Sequence, residues 1–123
     1  MKLGQVFQAV EAWRNLAALK MKPQMAYQIL KYVRLVLAEY EIAEKQRVAL
    51  IHELTETRDG EDARIETGTP EFAEYIRRFS EVMETECDLA KCEIALSQVM
   101  ASIAEGEKLS MAELEALEPF FAE

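Results

Sequence analysis

The 123-residue sequence is poor in helix breakers and in the residues that most often do chemistry: it has four Gly, three Pro, two Cys and one His. With breakers so sparse, and Ala, Leu, Glu, Met, Gln and Lys abundant, helix formers dominate and an all-β fold is close to excluded. No apolar run approaches the ~20 residues that would span a bilayer. The opening MKLGQVFQAVEAWRNLAALK is interrupted by Gln, Glu, Arg and Asn before any export-signal core could form, so a cytoplasmic location and no membrane association are expected. Cys87 and Cys92, five positions apart, are expected as reduced thiols.

The same scarcities remove most catalytic patterns. His52-Glu53 begins like the zinc-protease motif HExxH, but position 56 is Glu and no second His exists. Two Cys without other soft ligands do not complete a zinc site within one chain. Glu81, Glu84, Glu86 and Asp88 are close in sequence, yet helical spacing scatters them around a cylinder, and the ExxH pair of a di-metal bundle is missing. No glycine-rich phosphate loop, nucleophile elbow or triad set occurs. The expectation is therefore no catalytic residues, no metal and no cofactor.

Positive charge is the other shortage. Against 23 acidic residues there are 14 basic ones, for a net charge of -9. The balance is uneven along the chain: residues 1–22 sum to +3, 23–56 to -1, 57–69 to -2, 70–93 to -4 and the remainder to -5. Phosphate neutralisation needs a concentrated basic face, and only Lys20, Lys22, Lys31 and Arg34 come near to one, so no nucleic-acid partner is expected. A basic N-terminal part and an acidic C-terminal part do allow complementary contact between neighbouring copies.

What is present is one long uninterrupted stretch. Residues 24–56 contain no Gly or Pro and predict a single helix. Ala26, Leu30, Val33, Leu37, Tyr40, Glu44, Arg47, Ile51 and Leu54 recur alternately four and three apart, a heptad seam that requires a partner helix. Before it, Leu3, Val6, Phe7, Val10, Trp13 and Ala17 mark an amphipathic helix over residues 3–20, broken by Pro23. After it, residues 57–69 hold two of the four Gly and predict a loop, with residues 63–67 able to form a short strand. Thr69-Pro70-Glu71 then starts the partner helix, with a capping Thr, Pro at the first helical position and an acid at the positive end of the dipole.

In that helix Phe72, Tyr75, Ile76, Phe79, Val82, Met83, Glu86 and Leu89 continue the register. The expected architecture is mainly α: a long antiparallel helical hairpin with Leu54 near Phe72, Ile51 near Tyr75 and Arg47 near Phe79, an N-terminal helix and a short C-terminal helix, in one domain. Beyond Glu86, residues 87–99 either continue the second helix, the favoured reading, or alternate as a strand, which allows a minor β-hairpin of 63–67 with 89–96. Ser110-Met111-Ala112-Glu113 is a capping box that opens the last helix. Pro119-Phe120-Phe121 ends it, either anchored in the core or docked on a partner.

A helix of 33 residues is about 50 Å long, whereas a compact chain of this size is roughly 35 Å across. The seam thus calls either for cover from the rest of the chain or for a second copy, and a homo-oligomer is expected. The interface candidates are Leu37, Tyr40, Glu44, Arg47, Phe79, Phe120 and Phe121. Glu44 and Arg47 are three apart and able to pair with each other or across a symmetry axis.

The segments KMKPQMAYQILKYV, EYEIAEKQRVALIHEL, EFAEYIRRFSEVMETECDL and KLSMAELEALEPFFAE, in this order around a charged Gly-containing loop, resemble a family of small phage and prophage proteins, the group called domain of unknown function 1617. The resemblance spans nearly the whole chain. It implies a virion or tail-region assembly accessory that binds other phage morphogenesis proteins without catalysis, cytoplasmic or virion-associated. The alternative is a small acidic regulatory or inhibitor protein for a basic host or phage partner.

Overall fold

A computed structural model describes residues 1–55 and 65–122. They form five α-helices in the order α1 (Leu3–Ala18), α2 (Pro23–Thr55), α3 (Pro70–Met83), α4 (Leu96–Ser102) and α5 (Met111–Leu117), followed by one 3-10 turn at Glu118–Phe120. The fold is mainly α, and among the described residues β-structure is limited to three isolated bridges.

α2 is the spine, and two shorter helices lie along it. Trp13 of α1 packs on Tyr32 and Phe7 on Tyr40, each pair with ring centroids 5.2 Å apart, so α1 runs antiparallel to the first part of α2. Farther along α2, Arg78 of α3 grips Glu53 through two hydrogen bonds of 3.0 Å. Where α3 ends, α1 begins: the Leu3 amide donates to the Thr85 carbonyl at 2.8 Å and the Cys87 amide to the Met1 carbonyl at 2.9 Å. The N-terminal ammonium meets Glu86 and Lys2 meets Glu84 at the same junction. Sixteen residues of α1 and fourteen of α3, placed end to end, thus nearly match the thirty-three of α2.

Gly4 is what allows this junction, because a Cβ there would lie 3.0 Å from the Met83 carbonyl oxygen and 3.2 Å from the Met83 Cβ. Cover along the spine comes from two separate segments of the same chain, and a second copy is not needed to close the seam.

The seam itself differs in phase from the expected one. Ile29, Val33, Val36, Ala43 and Leu50 are buried and Tyr40, Arg47 and Leu54 half-buried, which is the track 29–33–36–40–43–47–50–54. Four of the nine expected positions lie on it. Ala26 and Leu30 instead face solvent, while Leu37, Glu44 and Ile51 flank the buried track. Four of the five displaced positions have a buried apolar neighbour one residue earlier (Ile29, Val36, Ala43, Leu50), and the fifth, Ala26, follows the half-buried Met25. The track that is buried carries one charged residue where the other carried two, and desolvating a charge is costly. Along α3, Tyr75 lies near enough to Arg47 to favour its charged form, and Phe79 stacks on Tyr75 and packs edge-on against Phe7.

Residues 84–95 also depart from the expected helix. α3 stops at Met83, capped by the Glu84 amide donating to the Ser80 carbonyl, and does not continue through Glu86 and Leu89. The chain is then non-helical until Leu96 because tertiary contacts claim it: the Tyr32 hydroxyl donates to the Ala90 carbonyl at 2.7 Å, and the Cys92 amide to the Phe120 carbonyl at 2.7 Å. The bridge partner of Cys92 is Phe121 in the tail. Of the alternative strand at 63–67, positions 63 and 64 lie outside the described residues.

The tail closes the core. Phe120 and Phe121 are fully buried, with ring centroids 5.5 and 5.4 Å from that of Trp13. The Trp13 Nε1–H has no acceptor among the described residues, so ring packing alone fixes the indole. Ser110 caps α5 by accepting from the Glu113 amide at 3.1 Å, while its own amide donates to the Glu113 carboxylate at 2.9 Å.

Candidate interaction surface

The seven expected interface residues divide once the fold is formed. Phe120 and Phe121 are inside the chain's own core and offer nothing to a partner. Leu37, Tyr40 and Phe79 are half-buried, and Tyr40 and Phe79 both close on Phe7. The five apolar members are thus spent largely on intrachain packing.

Glu44 and Arg47 form a two-point pair, with Arg47 Nε donating to Glu44 Oε2 at 2.9 Å and Nη2 to Oε1 at 2.5 Å. Their side chains keep 30% and 31% of their exposure, so the pair sits at the rim of the α2–α3 contact and is partly wet. The guanidinium hydrogen bonds hold the Glu44 carboxyl below the usual carboxylate range, and that pairing, with help from Tyr75, raises Arg47. A pair of this exposure stabilises by about 1 kcal/mol or less.

The surface left over is the outer side of α2, which the sequence reading did not single out. Tyr27, Lys31, Leu35, Ala38, Ile42, Lys45 and Ala49 are all exposed and recur at three and four, so they form one stripe opposite the buried track. Tyr27 is 61%, Leu35 56% and Ile42 50% exposed. Lys31 lies over the Tyr27 ring with Nζ 5.0 Å from the centroid. The signal for this stripe was available in the sequence as a second apolar track along a helix whose first track is satisfied.

Beside the stripe lies a shallow groove of about 270 Å³, between α2 and the extended segment 90–94. Lys31 and Leu35 belong to both features, and Lys91 and Ile94 form the opposite wall. Tyr32 lies at its base, where burial, followed by the neighbouring Cys92 and Cys87, pushes the phenol up to about 12.

Cys87 and Cys92 are both free, Cys92 buried and Cys87 half-buried. Among the described residues no three His, Cys, Asp or Glu side chains converge as metal ligands. Also among them, no helix is long and apolar enough to cross a membrane. No family model, curated protein or solved structure matches the chain.

Proposed function

We propose that the protein is a non-enzymatic, phage-derived assembly accessory that works in virion or tail morphogenesis by protein–protein binding, including binding to copies of itself. The observation that carries the binding part is the outer stripe of α2: three large apolar side chains at half exposure or more along one face of a helix that the fold already holds rigid. Contiguous exposed apolar surface on an otherwise polar helix face is the usual mark of a contact surface. The phage part rests on the ordered sequence segments described above, and places the protein in the cytoplasm or on the virion. Nucleic acid and membrane are not among the proposed partners.

The test is Leu35→Asp with Ile42→Asp, both exposed. The double variant should keep its helical circular dichroism and its melting temperature within a few degrees, while losing self-association in light scattering and capture of co-expressed morphogenesis proteins. Unchanged mass and capture in a folded double variant would remove the stripe as the binding surface.

A second reading, a small acidic regulator or inhibitor, is favoured by a different observation. Glu105, Glu115 and Glu118 are exposed without an ion pair among the described residues. An acidic face of that kind would bind a basic partner with an affinity that falls steeply with salt and that Leu35→Asp with Ile42→Asp leaves unchanged.

A further inference from the structure

We infer that the chain self-assembles head to tail, the outer stripe of α2 in one copy receiving the acidic end around α5 of the next. The inference rests on the assembly reading above and deepens it by naming the two unlike faces that meet.

The stripe is apolar, and both of its charged members, Lys31 and Lys45, are cationic. Arg34 and Glu41 flank it on one edge, Glu39 on the other, and Lys91 and Glu93 line the groove beside it. On a chain of net charge -9 this is an unusual local sign. The first 56 residues sum to +2 and the rest to -11, so each copy is strongly dipolar along its sequence.

Symmetric pairing of the stripe with itself is disfavoured by its own spacing. In an antiparallel pair centred on Ala38, Lys31 of one copy stands opposite Lys45 of the other, because each is seven residues from the centre. A parallel pair sets each lysine beside its equivalent. Like charges facing each other oppose both arrangements.

An anionic lipid or phosphate surface would attract Lys31 and Lys45 but repel the remainder of the molecule. The occupant that fits must be acidic and apolar only locally.

The chain carries such a surface elsewhere. Met111, Glu115 and Glu118 share one face of α5 and the turn after it, at i, i+4 and i+7, and Met111 is 75% exposed. Glu105 lies in the loop leading into α5. The helix is held on α1 by Asn15 donating to Glu113 at 2.9 Å, and α1 is on the inner side of α2. Acidic end and basic stripe therefore occupy different sides of one copy. A contact between unlike faces is heterologous, and it builds rings or filaments according to whether the rotation closes.

The stripe from Tyr27 to Ala49 is about 33 Å long, more than α5 covers, so the contact belongs to the weak, exchanging class.

The test uses two exposed double variants of the full chain, Lys31→Glu with Lys45→Glu, and Glu115→Lys with Glu118→Lys, each checked by circular dichroism and melting. In low salt the wild-type mass in sedimentation should rise with concentration beyond two chains, and ~0.5 M salt should lower the association constant by about tenfold or more. Each double variant alone should remain a monomer, because its stripe and its end then carry the same sign. The two mixed should assemble again, because the acidic end of the first meets the intact stripe of the second and the reversed end of the second meets the reversed stripe of the first.

A wild-type chain that stays monomeric up to ~1 mM overturns the inference, that concentration being enough to populate even a weak contact. Assembly that stops at two chains and survives either double substitution overturns head-to-tail packing while leaving the assembly reading intact. Mixed variants that stay monomeric have the same consequence. Sedimentation of the wild type with phosphatidylserine vesicles, lost in Lys31→Glu with Lys45→Glu, would assign the stripe to lipid and likewise overturn the inference.

Discussion

Ile29 and Leu30 are adjacent, similar in size and apolar, yet the fold treats them oppositely: Ile29 is 1% exposed and Leu30 43%. Truncating each to Ala reads the phase of the α2 seam directly. Ile29→Ala removes three buried carbons and leaves a cavity among tightly packed neighbours, which costs about 2–5 kcal/mol. Leu30→Ala removes atoms that are already nearly half in water, and Ala is at least as good a helix former as Leu, so the expected loss is about 1 kcal/mol or less. At the usual unfolding entropy of about 2.1 cal/mol/K per residue, a 3 kcal/mol loss in a chain of this length lowers the melting temperature by roughly 10–12 °C.

Thermal and urea melts followed at 222 nm would give both values under identical conditions. The expected result is a drop of about 10 °C for Ile29→Ala and under ~4 °C for Leu30→Ala. If Leu30→Ala is as damaging as Ile29→Ala, the buried track is one residue later than described and the account of the core fails.

Three further outcomes are expected. Phe121→Ala should cost about 3–5 kcal/mol and red-shift the Trp13 emission, because it opens one side of the indole to solvent; an unaltered emission maximum in a folded variant would mean the tail does not cover Trp13. Gly4→Val should lower the melting temperature by forcing α1 away from the end of α3, a cost of about 1–3 kcal/mol from overpacking, and an unchanged melt would show that the two helix ends do not abut. Because pairing lowers the Glu44 carboxyl in the folded chain, its stabilisation is present above the ordinary value of 4.5 and is lost as pH falls through the folded value. Glu44→Gln should accordingly be slightly less stable at neutral pH and lose less stability than the parent between about pH 5 and 3; parallel pH profiles for the two would exclude the pair as a contributor.

Much of the local structure was legible in the sequence, because caps and breakers act within one turn. Pro23 opens α2, Thr69 caps α3 with its side chain accepting from the Phe72 amide at 3.1 Å, and Ser110 with Glu113 closes the box at α5. The stop of α3 was not legible. Residues 84–96 have ordinary helix propensity, and what holds them open is distant: the Met1 carbonyl, the Tyr32 hydroxyl and the Phe120 carbonyl. The packing of Tyr40 by Phe7 was not legible for a related reason, since nothing within α2 announces which of its faces α1 will cover.

The sequence by itself determined that this protein is mainly α, that the Gly- and Pro-free stretch 24–56 makes one long helix, uninterrupted through Thr55, the last residue described there, and that the charge runs from basic to acidic along the chain. These follow from composition and spacing, which need no knowledge of neighbours. Only the tertiary structure decided which apolar track of that helix is buried, because pairs such as Ile29 and Leu30 or Val36 and Leu37 are equivalent until a second helix arrives on one side. It likewise decided that two separate segments cover the spine end to end, which depends on a glycine meeting a carbonyl across some eighty residues of chain. The outer stripe of α2 is the consequence: a face becomes free only when another has been chosen.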